Sequence, residues 1–261
     1  MTKFNEAALQ IKDALDLKLH IQAVKLIEDP AEVPPEAVRA KDAYGHLSLC
    51  QAFALTKRQG VTLYTDRSSE WCWAPAVGLG YVDCSPGTKS FDIISRLMGI
   101  EDPEKSTQFF TDFPRLPMGK YQGVLLAPAT EANFEPDALL INCDNNFQFR
   151  TLLSAIKFKS GKMFEAKLDS VDSCMHTLAA CLVKKDYTMA VPDPGEQERA
   201  LSDKNEMILA VPKEKLDDLM AGMNFIGLIH MNYQGFHTEM NYNFPRPPFY
   251  DEVFRDWGLM E

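Results

Sequence analysis

The sequence predicts an α/β or α+β fold, in which two pseudo-repeated helix–strand–helix halves pack as mixed sheets with helices. Short apolar runs of strand length alternate with segments of helical apolar periodicity along the 261 residues, a pattern of layered helices and sheets rather than a helical bundle. In addition, residues 47–81 share a pattern with residues 148–183. With Gly60 placed on Gly161 and one residue inserted before Cys174 to match Cys72, Ala54 meets Ala155, Leu55 meets Ile156, Ser68 meets Ser170 and Glu70 meets Asp172. Each copy reads as a helix, a glycine stop, a short strand, a polar turn and a cysteine that opens a small-residue helix.

Phe4, Ala8, Ile11, Leu15 and Leu19 fall on one face of a helix over residues 4–18. A strand is predicted over 20–27, and the proline-rich segment EDPAEVPPEA after it reads as a loop, because proline can continue neither a helix nor a sheet ladder. The first repeat copy follows. VDCSPGTK is a turn, 90–100 a short helix, and the Pro/Gly-rich crossing before residue 123 a candidate seam. GVLLAPA at 123–129 and ALLIN at 138–142 read as buried strands. Residues 145–158 form the second-copy helix and 162–166 its strand. A turn around 192–195 leads into a polar stretch, then a strand over 207–211 and a helix with Pro212 in its first turn and Gly222 near its end. The expected organisation is a half-domain over 1–118, a second over 119–224, and an irregular tail over 225–261 that wraps the surface or forms a homodimer contact.

Composition bounds the function. The 46% hydrophobic content supports a folded core, and no run reaches the roughly 18–20 apolar residues of a membrane span. The opening MTKFNEAALQ lacks a signal-peptide core, so the expected location is the cytoplasm. A net charge of −10, from 37 acidic and 27 basic residues, disfavours nucleic acid and anionic membranes as partners and leaves a small molecule as the expected one. No dinucleotide-binding glycine motif, P-loop, nucleophile elbow or HExxH helix occurs.

Six cysteines in a chain without export signals read as thiols, metal ligands or reactive groups. Cys72, between Trp71 and Trp73, and Cys174, two residues before His176, both stand at predicted helix starts, where the helix dipole lowers a thiol pKa. Cys50 lies four residues after His46. Three cysteines from separate elements fit a [4Fe–4S] cluster with one iron open, or a zinc ion completed by His46 or His176. Cys84, Cys143 and Cys181 read as packing residues. In an alternative reading Trp71, Trp73, Met175 and the tail aromatics Tyr233 and Phe236 line a pocket for an apolar or tetrapyrrole-like ligand; His230 and His237 could line a pocket as well.

The segments LSLCQAFALTKRQG, SSEWCWAPAVGLGY, LAPATEANFEPDALLINCDNNFQF, DSCMHTLAACL and EMILAVPKEKLDDLM occur in an order and spacing that resembles the prokaryotic family known as domain of unknown function 169. The resemblance covers roughly residues 20–225. It implies that the Cys50–Gln51 pair, Cys72 and Cys174 form a set, since cysteines recur at those positions in the family. Trp73 stands where many relatives have proline, and no cysteine occurs in YTMAVPDPGEQERA, where some relatives carry one; that departure argues against four cysteine ligands. The family supplies no reaction. Together these observations lead to the expectation of a cytoplasmic iron–sulfur protein, an anaerobic redox or lyase-type enzyme, with a non-catalytic binding module or a zinc-stabilised protein as alternatives.

Overall fold

The structure is a computed structural model that describes residues 2–100, 102–226 and 249–258. Among the described residues, seven strands form one mixed sheet: β1 (Gln22–Ile27), β2 (Val38–Arg39), β3 (Leu63–Asp66), β4 (Gly123–Pro128), β5 (Ala138–Cys143), β6 (Thr188–Ala190) and β7 (Met207–Pro212). Their order is β2-β3-β4-β1-β5-β7-β6, with β2 and β3 parallel and every other pair antiparallel. Because β4 lies between β1 and β3, the two halves expected on either side of residue 118 contribute interleaved strands to the same sheet.

The helices are α1 (Lys3–Leu15), α2 (Ala40–Tyr44), α3 (Leu49–Gln59), α4 (Trp73–Gly78), α5 (Lys89–Leu97), α6 (Pro103–Asp112), α7 (Asn146–Ser160), α8 (Ala180–Lys184), α9 (Pro194–Ala200), α10 (Leu216–Ile226) and α11 (Phe249–Asp256). A π-helical turn over Met175–Ala179 runs directly into α8. Strand residues alternate between the two faces of the sheet. Val24, Leu26, Val124, Leu126, Leu140 and Ala210 join one core with α3, α4 and the π-turn; Ala23, Ala127, Leu139, Ile141, Leu209 and Val211 join the other with α1, α7 and α10. Both faces are covered, so β4 and β5 are buried at every position, as their unbroken apolar runs imply.

Local chemistry sets the helix ends. The first helix stops at Leu15 rather than 18 because Asp16 turns left-handed (φ 49°) and donates its N–H to Asp13 and Lys12. Gly60 and Gly161 end α3 and α7 in the same left-handed conformation (φ 70° and 64°), a real parallel between the two matched segments. The parallel then fails: no strand forms over 162–166. Met163 is 89% exposed there, and the segment pairs with neither edge strand of the sheet, β2 nor β6. The polar stretch after residue 193 is instead a helix, α9, whose N-cap Asp193 accepts from the Glu196 N–H with Pro194 in the first turn. The loop after β1 contains a 3-10 turn at Pro30–Glu32, and β2 and α2 form where no element was expected.

Two compact units result, residues 1–228 and residues 229–261. The second is described only through α11 and the two residues after it. His230, Tyr233, Phe236, His237 and the expected tail-mediated homodimer contact lie outside the described residues. Among the described residues no helix is long and apolar enough to cross a membrane.

Candidate functional site

All three flagged cysteines sit at helix starts. Cys50 is the second residue of α3, Cys72 is the N-cap of α4, and Cys174 stands in the first turn of the helix that contains the π-turn. Sheet order brings these starts together on one face, where the cysteines line a cavity of about 430 Å3 with Trp71, Trp73 and Arg199. His176 is not among the residues that line it; its side chain borders a second cavity, of about 500 Å3. His46 is exposed and precedes α3, so it shares no helical face with Cys50. Cys84, Cys143 and Cys181 are fully buried in the two cores, away from the cavity lining.

Glu70 ties two of the helix starts to each other. One carboxylate oxygen accepts from the Leu49 N–H at 2.9 Å and the other from the Cys72 N–H at 2.7 Å. Gln51 adds a second tie, its Oε1 accepting from Ser48 N–H (3.1 Å), Ser48 Oγ–H (3.1 Å) and Trp71 Nε1–H (3.2 Å). The Cys-Gln pair therefore has a division of labour: one residue faces the cavity and the other fastens the loop beside it. Arg199 lays its guanidinium 5.0 Å from the centre of the Trp71 ring and directs its charge at Cys50 and Cys72.

The thiols are not activated by their helix starts. Burial pushes Cys50 up to about 11, against the lowering effect of the Ser48 hydroxyl 3.1 Å from its sulfur. Burial raises Cys72 as well, and it raises Cys174 well above the ordinary thiol value, helped by Cys50 and Cys72. Desolvation outweighs the dipole, which corrects the expectation of lowered thiol pKa values. The three thiols are protonated at neutral pH, and a cationic ligand has to displace those protons.

Behind the cavity runs a buried polar network that the sequence reading missed. Lys57, fully buried on α3, pairs with Glu206, lies 3.8 Å from Glu196 and donates to Ser202 at 2.9 Å. Glu206 also accepts from Asn142, which accepts from Gln22 at 3.1 Å. On the other side, Ser173 donates its hydroxyl to Glu196 (2.5 Å) and its backbone N–H to Asp193 (3.0 Å) beside Cys174. The available signal was a lysine on the inner face of α3, four residues after the core residue Phe53. Arg199 and Asp172 were missed as site residues for a different reason: a polar segment read as a loop carries no periodicity that marks which side chains turn inward.

Two carboxyls near the cysteines, Glu70 bonded to the Cys72 N–H and Asp172 on the cavity wall, have pKa values raised by burial. Burial raises Glu70 to about 7, although the backbone N–H groups of Cys72, Leu49 and Trp71 work against it. Burial, with Asp193 and Asp169 nearby, raises Asp172 to about 8; its Oδ2 is buried without a hydrogen-bond partner. A carboxyl whose folded pKa lies above its unfolded one contributes stability that is complete below the unfolded value near 4 and lost as pH rises through the folded value. The thermal midpoint should therefore fall as pH is raised from about 5 to about 9, and Glu70→Gln with Asp172→Asn should flatten that slope. An unchanged slope in the double variant would show that other groups govern it.

Among the described residues no three His, Cys, Asp or Glu side chains are gathered as they would be around a single metal ion. The model of domain of unknown function 169, described as uncharacterised ArCR, matches residues 10–222. An uncharacterised protein of Methanocaldococcus jannaschii is 23% identical over 222 residues, 84% of this chain and 93% of its own length. No solved structure matches.

Proposed function

We propose that this chain, which belongs to the family domain of unknown function 169, holds a [4Fe–4S] cluster between Cys50, Cys72 and Cys174 and leaves one iron open to a small-molecule ligand. The observation that carries the reading is the meeting of three cysteines from three separate helix starts on one cavity. A cubane spreads its cysteine sulfurs roughly 6–7 Å apart, a wider ring than a zinc ion bound at about 2.3 Å per sulfur requires. Arg199 supplies a positive charge against the thiols, which offsets the negative charge of a thiolate-ligated cluster. Asp172 places a carboxyl group at the cavity wall, within the same lining as the three cysteines, where it would serve as an acid for a bound ligand. Redox or lyase chemistry at the open iron is the reaction class that fits this combination of an acid, a cation and an uncommitted metal site.

Anaerobic reconstitution followed by iron and sulfide analysis and EPR tests the reading. The expected content is about four iron and four sulfide per chain. Cys50→Ser, Cys72→Ser and Cys174→Ser should each abolish it, while Cys143→Ser and Cys181→Ser should leave it intact. Colourless, iron-free protein after reconstitution would overturn the cluster. A sharp Soret band in freshly purified protein would instead favour a tetrapyrrole seated against Trp71 and Trp73.

A further inference from the structure

We infer that the second cavity, bordered by the segment after α6 and by the helix that follows Cys174, is a binding site for a small organic carboxylate with a ring-sized apolar body. This site is independent of the cluster and shares no lining residue with the cysteine cavity. Its volume is about 500 Å3, within the range of small-molecule sites, and its lining combines an apolar wall with a few convergent polar groups. Phe110, Phe113, Ala180 and Val183 form the apolar part.

The polar part is built for an anion. Three cationic side chains, Arg115, Lys167 and Lys184, line the cavity against the carboxylate of Asp112, which Lys167 engages at 3.1 Å, and that of Asp169, 3.9 Å from the lining His176. Arg115 is held in place: one terminal nitrogen donates to the Phe110 carbonyl at 3.0 Å, and the guanidinium lies 5.6 Å from the centre of the Phe110 ring. Its Nε is buried and has no hydrogen-bond partner. Arg115 lines the cavity, and a carboxylate is the acceptor that a guanidinium matches. His176 also lines the cavity, with its buried Nε2 3.9 Å from the Asp169 carboxylate. Lys184 directs its charge toward His176.

The Phe113 ring contacts both Trp73, of the cysteine cavity, at 5.5 Å and His176 at 6.1 Å. One aromatic ring therefore separates the two cavities, and Cys174, immediately before the π-helical turn, lines one while His176, within the turn, lines the other. Single π-turns recur at functional sites because the extra residue re-aims side chains.

Calorimetric titration and saturation-transfer NMR with phenylacetate, using phenylacetamide as the neutral isostere, test the site on the full chain. Phenylacetate should bind saturably, and the amide at least about tenfold more weakly, because it lacks the charge that Arg115 and Lys184 recognise. Arg115→Gln should weaken phenylacetate binding by about tenfold or more. Val183→Trp, a substitution at a half-exposed wall position (53%) with little bearing on folding, should block binding by filling the cavity. Cys72→Ser should leave phenylacetate binding unchanged, and Arg115→Gln should leave iron content unchanged, so each proposal can fail without the other. Absence of saturable binding, equal affinity for the amide, or wild-type affinity in Val183→Trp would overturn the inference.

Discussion

Replacement of Lys57 by methionine is expected to destabilise the first unit by about 3–5 kcal/mol, the usual cost of removing one member of a buried ion pair. Methionine keeps most of the side-chain volume, so the loss isolates the charge. Lys57 is fully buried and serves Glu206, Glu196 and Ser202 at once. Without it, two carboxyls are left in the core with no cation. Burial already raises the Glu196 pKa, and Lys57 is the main influence holding it down. The variant should therefore be less destabilised in mild acid than at alkaline pH, since a proton can then take the place of the ammonium. Urea unfolding at both pH values checks this, and Glu206→Gln in the Lys57→Met background should restore part of the loss. A change under about 1 kcal/mol would mean that the pair does little beyond cancelling its own desolvation.

A second large effect is expected at Gly222 in α10. A Cβ there would lie 2.1 Å from the Ala155 carbonyl oxygen and 2.6 Å from its carbon, backbone atoms of α7 that cannot rotate away. Gly222→Leu must force the two helices apart, at about 3 kcal/mol, the upper end of the usual cost of overpacking. Gly161→Ala is the matched control: nothing lies within 4 Å of its added Cβ, and only the left-handed backbone (φ +64°) opposes it, a cost of roughly 1–2 kcal/mol. Equal losses in the two variants, measured by chemical denaturation, would show that α7 and α10 separate freely. The sequence marked Gly222 only as a residue near a helix end; its role comes from a helix that lies more than sixty residues earlier in the chain.

Most elements were legible because the signals that make them are local. The apolar runs of β4 and β5, the periodicity of α1 and α7 and the glycine stops at Gly60 and Gly161 act within a few residues of themselves. Where competing local signals were weak, the expectation failed: the segment 162–166 has strand-like composition but pairs with no strand of the sheet, and α9 has a sound N-cap but no apolar stripe to announce it. The identity of Cys50, Cys72 and Cys174 as one set was likewise available from the chain, as was the absence of any nucleotide or hydrolase motif. The separation of His176 from those cysteines was not. Side chains two residues apart on a helix point in different directions, and Cys174 and His176 accordingly border different cavities.

By itself the sequence determined the α/β class, the positions of most strands and helices, the family, and the three cysteines worth following. The tertiary structure alone decided that β4 slots between β1 and β3, that the cysteines share a cavity with Arg199 and Asp172, that Lys57 anchors a buried network behind them, and that burial keeps the thiols protonated. The physical reason is range. Periodicity and capping are fixed by neighbours along the chain, whereas strand order, convergence of helix starts and desolvation depend on contacts between residues far apart in sequence, which one-dimensional patterns do not encode.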